Sequence, residues 1–212
     1  MRHVKKTVTT LLLLTLALFQ YPANATISKY ALDSQIQDFM NSQSIKAVSY
    51  GLWINGKPVS VNALGESMTK VPATKNMHFR IGGVTETMLT TLLMQMVEQK
   101  KVNLNDKIVR WYPNLVNANK VTLKMLANGT SGYPDYVYNK KFVDKVVDEP
   151  FKNWTDKELL DYALMSPPQF APGTSQRYSH TDYVLLGHIL SKVSKKDLNT
   201  TLQEYILKPL AM

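Results

Sequence analysis

The side chains of this sequence that could do chemistry are hydroxyls, imidazoles and carboxylates, because the chain of 212 residues contains no cysteine. A cysteine nucleophile, a disulfide and a thiolate metal site are therefore excluded. His78, His180 and His188 lack the spacing to carboxylates and to one another that is typical of a metal site. We therefore predict no bound metal ion and no cofactor.

Two hydroxyl residues are candidate nucleophiles, Thr85 and Ser131. Ser131 lies in a Thr-Ser-Gly segment, which is typical of a turn and does not match the Gly-x-Ser-x-Gly pattern of a serine hydrolase elbow. Thr85 lies in the first turn of a predicted helix. Neither residue stands in a recognised catalytic motif.

Two strong helical patterns must position these groups. Apolar residues repeat at the 3.6-residue period over 84–100, and a second strong helix is predicted over 181–193. The Thr-Asp-Lys-Glu sequence at 155–158 predicts a capping box that opens another helix, which ends before two prolines. Shorter helices are predicted at 32–40, 122–127 and 198–207.

The predicted strands lie near the start of the chain. Residues 47–54 and 58–64 are rich in strand-forming residues, and the Asn55-Gly56 pair between them predicts a two-residue hairpin turn. A polar connection rich in aromatic residues is expected over 130–153. A two-stranded sheet is marginally stable in water, so this hairpin needs a further partner.

Several segments resemble the serine β-lactamase and penicillin-binding protein family, which includes D-alanyl-D-alanine carboxypeptidases. Residues 79–87 read Phe-Arg-Ile-Gly-Gly-Val-Thr-Glu-Thr, where the family reads Phe-Arg-Ile-Gly-Ser-Val-Thr-Lys-Thr. Further segments follow in the family's order at 104–106, 111–113, 129–136, 170–174, 178–187 and 207–212. The resemblance covers nearly all of 45–212.

The resemblance also identifies positions where the chain departs from the family. The attacking serine is replaced by Gly83, and the lysine three residues later, which assists proton transfer, is replaced by Glu86. The family's Tyr-x-Asn motif reads Tyr178-Ser179-His180, so only Tyr178 is retained and His180 stands in place of asparagine. The resemblance therefore implies that the family's catalysis is lost.

The fold implied by the resemblance is α/β, more narrowly α+β, with helices packed on an antiparallel sheet as in β-lactamases and transpeptidases. The family's third motif, Lys-Thr-Gly or His-x-Gly, and its C-terminal strands would lie beyond Met212. We therefore expect the 47–64 hairpin to have an unpaired strand edge, through which the chain would associate with itself.

Residues 1–25 are predicted to be a cleaved signal peptide. Arg2, Lys5 and Lys6 precede an apolar stretch, and Ala23-Asn24-Ala25 is a small-x-small cleavage site. The predicted mature chain, 26–212, is one partial β-lactamase-related domain that is periplasmic or secreted and has no transmembrane anchor. The formal net charge is +9, but no basic run with interleaved aromatic residues indicates binding to nucleic acid.

Three functional hypotheses follow. The first is an inactive homologue that keeps part of the family's cleft and binds a peptidoglycan peptide or an envelope protein. The second is an active esterase or peptidase with an unrecognised nucleophile, and the third is a non-functional fragment of a disrupted gene.

Overall fold

A computed structural model describes residues 28–212, so the predicted signal peptide lies outside the described residues. The described chain forms two compact units, which divide between Arg80 and Ile81. The extent of the predicted domain, 26–212, stays a prediction.

The first unit contains one helix and a small antiparallel sheet. Helix α1 spans Lys29–Ser42, and strands β1 (Ala47–Ile54), β2 (Lys57–Met68) and β3 (Val71–Pro72) pair in that order. The Asn55-Gly56 turn closes the predicted hairpin, and both residues have positive φ, 50° and 73°, as a type I′ turn requires. The short strand β3 was not predicted.

Strand β1 has one partner in the described part of the chain. It pairs with β2 from Ala47 opposite Gly65 to Ile54 opposite Lys57, with an irregularity between Leu52 and Trp53. The other side of β1 is therefore an edge of this three-stranded sheet. Self-association through that edge stays a prediction.

The second unit contains the remaining helices. In chain order they are α2 (Val84–Glu98), α3 (Leu123–Ala127), α4 (Lys140–Asp148), α5 (Asp156–Ala163), α6 (His180–Ser194) and α7 (Leu198–Leu202). Short 3-10 segments lie at Ile108–Arg110 and Tyr136–Tyr138, and a π-helical turn at Gln203–Leu207 follows α7. Helix α4 lies inside the segment that was expected to be an irregular connection.

Helices α2 and α6 form the centre of the core of this unit. Each buries one apolar face, and removal of that apolar surface from water stabilises the packed pair. Gly187 of α6 allows the close approach, because a Cβ atom there would lie 3.0 Å from Leu198 and 3.8 Å from Leu89. The fully buried core residues of the pair are Leu92, Leu93, Met96, Leu185, Leu186, Ile189 and Leu190.

The predicted capping box at the start of α5 is present. Thr155 accepts a hydrogen bond from the backbone N–H of Glu158 at 3.3 Å, and the Glu158 carboxylate accepts from the backbone N–H of Thr155 at 2.9 Å. These bonds satisfy backbone donors that the first turn leaves free. No helix within residues 28–212 combines the length and the apolar character needed to cross a bilayer.

Candidate active site

The start of helix α2 carries Gly83 and Glu86. Gly83 is the N-cap residue, with φ −59° and ψ −14°, and its carbonyl accepts a hydrogen bond from the Glu86 backbone N–H at 3.0 Å. Position 86 therefore lies one turn into the helix, with its carboxylate in the first turn, where the helix dipole stabilises an anion. Gly83 is exposed and Glu86 is half-buried.

A second part of the site comes from a loop at 129–132 that pairs with residues 169–177. Three backbone hydrogen bonds make this pairing. The Gly129 carbonyl accepts from the Arg177 N–H at 2.8 Å and the Thr130 carbonyl from the Gly173 N–H at 2.8 Å. The Gly132 carbonyl accepts from the Gln169 N–H at 2.9 Å. The loop also lies close to the segment, since a Cβ atom on Gly132 would be 2.3 Å from the Phe170 carbonyl oxygen. This pairing fixes the chain immediately before Tyr178.

Tyr178 and Glu86 are joined directly. The Tyr178 hydroxyl donates a hydrogen bond to Oε1 of Glu86. Burial, this hydrogen bond and the negative charge of Glu86 all raise the pKa of Tyr178 above its ordinary value. Tyr178 therefore remains a neutral hydrogen-bond donor near neutral pH and is a poor general base.

The space beside Gly83 faces the same two groups. A Cβ atom built on Gly83 would lie 3.7 Å from Oε1 of Glu86 and 3.9 Å from the Tyr178 hydroxyl oxygen. Both distances are ordinary van der Waals contacts, and φ at this position suits any L-residue. The fold therefore accommodates a side chain at position 83, but glycine supplies no nucleophile there.

His180 is held by a buried carboxylate. Its Nδ1 atom lies 2.8 Å from Oδ2 of Asp135, whose side chain is 2% exposed, whereas the imidazole is 40% exposed. A carboxylate accepts hydrogen bonds, so Nδ1 of His180 is the donor in this pair. The ring also packs edge-on against Tyr178, with centroids 4.8 Å apart.

Behind these exposed groups lies a buried polar pair. The Ser131 hydroxyl donates to Oδ1 of Asp182 at 2.5 Å and accepts from the Tyr133 backbone N–H at 2.9 Å. Burial raises the pKa of Asp182 to about 8, with a further increase from the charge of Asp135, whereas the Ser131 hydrogen bond lowers it. Ser131 is 1% exposed, so substrate cannot reach its hydroxyl.

A cavity of about 300 Å³ lies between the starts of α2 and α6. We name it the α2–α6 cavity, and its walls include apolar side chains, aromatic rings and carboxylates. Tyr136 in its wall has a raised pKa because of burial and of the negative charges of Asp135, Asp156 and Glu86. Six residues that line the cavity are Thr85, Glu86, Leu89, Tyr136, Asp156 and His180.

The structure brings the predicted site residues together. Glu86 and Tyr178 are hydrogen-bonded, Gly83 faces both, and His180 packs against Tyr178. Asp135 was not among the predicted site residues. Its pairing with His180 joins positions 45 residues apart, and no local sequence signal indicates such a contact.

The other histidine of this unit lies next to Tyr112. The Tyr112 hydroxyl and Nδ1 of His188 are hydrogen-bonded, and burial, with the charge of Lys192, lowers the pKa of His188. His188 also lines the α2–α6 cavity. In the described part of the chain, no three His, Cys, Asp or Glu side chains form a group that could hold a metal ion.

Comparison with known families gives one match over most of the chain. The family described as Beta-lactamase matches residues 32–212. A curated relative, the β-lactamase of Yersinia enterocolitica, is 25% identical over 185 residues, which are 85% of this chain and 45% of that protein. The chain thus spans about half the length of this relative.

Solved structures show the same similarity. The D-amino acid amidase of Ochrobactrum anthropi SV3, solved in complex with L-phenylalanine, is 30% identical with a TM-score of 0.74, covering 84% of this chain and 48% of that one. The octameric penicillin-binding protein homologue of Pyrococcus abyssi is 26% identical with a TM-score of 0.74, covering 88% and 44%. These matches confirm the predicted fold class, and within residues 28–212 the sheet has three antiparallel strands.

Proposed function

Because this chain belongs to the β-lactamase family of serine hydrolases, we propose that it is a non-catalytic member that keeps the family's cleft as a binding site. One observation carries the proposal. At the start of α2 the position that faces Tyr178 is a glycine, and the residue one turn later is a carboxylate. Formation of an acyl-enzyme requires a nucleophilic side chain at position 83, and the hydrogen atom of glycine is not a nucleophile.

The expected loss of catalysis is large. In serine proteases, removal of the nucleophile alone costs on the order of 10⁶ in turnover. Glu86 adds a second obstacle, because an anion at that position opposes the negative charge that develops on the substrate carbonyl oxygen. Tyr178 is a poor substitute base, since its hydroxyl donates to Glu86 and its pKa is raised above the ordinary value.

Binding is supported by the cavity that remains. The α2–α6 cavity has about 300 Å³ of space, and it combines apolar walls with a few polar groups, as small-molecule sites commonly do. The similar D-amino acid amidase was solved with L-phenylalanine. We infer that the ligand of this chain is an amino acid or a short peptide, such as a peptidoglycan stem peptide.

A second candidate function is an esterase or peptidase with a different nucleophile. Ser131 is a poor candidate because it is buried and donates to Asp182. Thr85 is the better candidate, since it lines the α2–α6 cavity together with His180, which Asp135 orients. This observation supports hydrolysis with His180 as the base and Thr85 as the nucleophile.

Two measurements on purified protein separate these functions. The first is hydrolysis of a chromogenic cephalosporin and of short-chain esters, and the second is titration with a synthetic stem peptide. We expect saturable binding without turnover. Turnover that is lost in Thr85→Val would establish the second candidate, and the absence of both binding and turnover would favour a non-functional fragment. Reading the nucleotides after codon 212 for the third motif tests the fragment hypothesis directly.

The location of the chain is part of the proposal. The basic residues, the apolar stretch and the cleavage site within residues 1–25 support export to the periplasm or the medium. A stem peptide is available in that compartment. Cell fractionation, with the mass of the mature chain, tests export and cleavage together.

A further inference from the structure

The carboxylate of Glu86 has spare capacity to bind a donor. Its Oε1 accepts from Tyr178, and within residues 28–212 its Oε2 has no hydrogen-bond partner. A carboxylate has about four sites for accepting hydrogen bonds on its two oxygens. Because Glu86 lines the α2–α6 cavity, a donor on a ligand can use the remaining sites.

Within the described chain, no basic side chain forms a salt bridge with either of the two carboxylates that line this cavity. Glu86 and Asp156 are outside the salt bridges of residues 28–212, whereas Asp161, one turn beyond Asp156 on α5, is paired with Lys157 at 2.6 Å. The cavity therefore carries negative charge in a chain whose formal net charge is +9. A cationic ligand would neutralise that charge.

Two further basic side chains, those of His180 and Lys192, lie nearby. His180 is paired with Asp135, so its imidazole already has a carboxylate partner. Lys192 lowers the pKa of His188. The Lys192 ammonium, however, lies 5.6 Å from the ring centroid of Tyr112. Tyr112 does not line the α2–α6 cavity but a second depression, which we name the neighbouring groove and which is lined by residues 111–115 and Asp161, among others. Neither group places a free cation beside Glu86.

The walls of the cavity favour an organic cation. Tyr136 and Tyr183 present aromatic rings, and Leu89, Val184 and Leu198 present apolar surface. Aromatic rings attract an ammonium group through their negative faces, and apolar walls bind its carbon substituent. A strongly hydrated metal ion would gain nothing from the apolar part.

We propose that the α2–α6 cavity binds a primary ammonium group carried on an apolar or aromatic ligand, with the Glu86 carboxylate as its counter-ion. The inference rests on the proposed binding function and names the ligand class for the same site. The substitution of an anion for the family's lysine thus has a consequence beyond lost catalysis. It reverses the charge that the site presents to a ligand.

The test compares two probes that share one ring and chain length. Phenethylamine is protonated at pH 7, whereas 2-phenylethanol is neutral. Each is titrated into the purified protein by calorimetry, with protein-observed NMR to locate the site. We expect saturable binding of phenethylamine, about fivefold tighter than that of 2-phenylethanol.

Two variants assign the effect to Glu86. Glu86→Gln keeps an acceptor for the Tyr178 hydroxyl but removes the charge, so phenethylamine should bind about fivefold more weakly while 2-phenylethanol binds unchanged. The matched control is Asp161→Asn, which removes a carboxylate that lines only the neighbouring groove. This control should leave the affinity for phenethylamine unchanged.

The outcomes distinguish the inference from the function on which it rests. Equal affinities for the two probes would overturn the ammonium inference and leave the binding function standing, and so would an unchanged affinity in Glu86→Gln. If neither probe nor a stem peptide binds saturably, both the inference and the proposed binding function are wrong.

Discussion

The start of α2 and the two segments 129–135 and 178–182 contribute side chains to the same site, but the two segments also contain buried polar side chains. At the start of α2, Gly83 is exposed and Glu86 is half-buried. In the other region, Tyr178 is exposed and His180 is half-buried, but Ser131, Asp135 and Asp182 are buried, and each of these three has a side-chain hydrogen bond to another residue of that region.

This difference separates the positions that carry the family's chemistry from those that carry its framework. A substitution at position 83 or 86 leaves no buried polar group without a partner, so the fold tolerates it. A change in the buried region disturbs close backbone contacts or buried polar groups that are hydrogen-bonded to one another. The fold can therefore accept substitutions at positions 83 and 86 and keep the architecture of the cleft.

The largest effect is expected at Gly132. Its φ is 84°, and a Cβ atom would lie 2.3 Å from the Phe170 carbonyl oxygen, so Gly132→Ala should lower the free energy of unfolding by about 3 kcal/mol. Gly82→Ala is the matched control, because φ is 51° but no atom lies within 4 Å of the added Cβ. Gly82→Ala should lower the free energy of unfolding by about 1 kcal/mol. Urea denaturation measures the free energy of unfolding of both variants. Equal decreases would contradict the close approach of position 132 to the Phe170 carbonyl oxygen.

A pH-dependent effect is expected at Asp182. Its pKa is raised from 3.8 to about 8 in the folded chain, so between these values the unfolded state releases a proton that the folded state keeps. The free energy of unfolding that Asp182 contributes must therefore fall as pH rises through this window. Asp182→Asn cannot ionise, and its stability relative to the wild type should increase by about 2 kcal/mol from pH 5 to pH 7.

Denaturation at several pH values checks this prediction. Asp161→Asn serves as the control, since its carboxylate is exposed and paired with Lys157. From pH 5 to pH 7, the free energy of unfolding of Asp161→Asn should show no comparable rise relative to that of the wild type. A stability difference between Asp182→Asn and the wild type that stays constant with pH would show that Asp182 is ionised in the folded protein.

The smallest effect is expected at Gly83. Its backbone is in the right-handed helical region, and the added side chain would have only ordinary contacts with Glu86 and Tyr178. Gly83→Ser should change the free energy of unfolding by less than about 0.5 kcal/mol, because glycine and serine are both tolerated at an N-cap. If Gly83→Ser lowered the free energy of unfolding as much as Gly132→Ala does, exposed and buried positions of the site would not differ in their tolerance of substitution. Thermal denaturation of the two variants in parallel provides the comparison.

Local signals predicted much of the fold. The apolar period of α2, the capping box of α5 and the Asn55-Gly56 turn each depend on residues a few positions apart, and each is present in the structure. Motif similarity indicated Gly83, Glu86, Tyr178 and His180 as site residues, and the structure places them together. For these features, the information lies within one short stretch of sequence.

Contacts between distant positions were not predictable in this way. Asp135 and His180 are 45 residues apart, and Ser131 and Asp182 are 51 apart, so packing and not local pattern pairs them. Helix α4 was missed because the polar, aromatic-rich composition of its surroundings indicates a connection. The structure shows that Asn139 caps this helix by accepting from the Lys141 backbone N–H at 3.0 Å.

The most direct test of the account is intact-protein mass spectrometry after incubation with a fluorescent penicillin, with an active β-lactamase-family enzyme as the positive control. We expect the purified chain to keep its unmodified mass, because no side chain at position 83 can form the acyl bond. An adduct with the mass of the opened penicillin, mapped to a residue of the α2–α6 cavity, would contradict it.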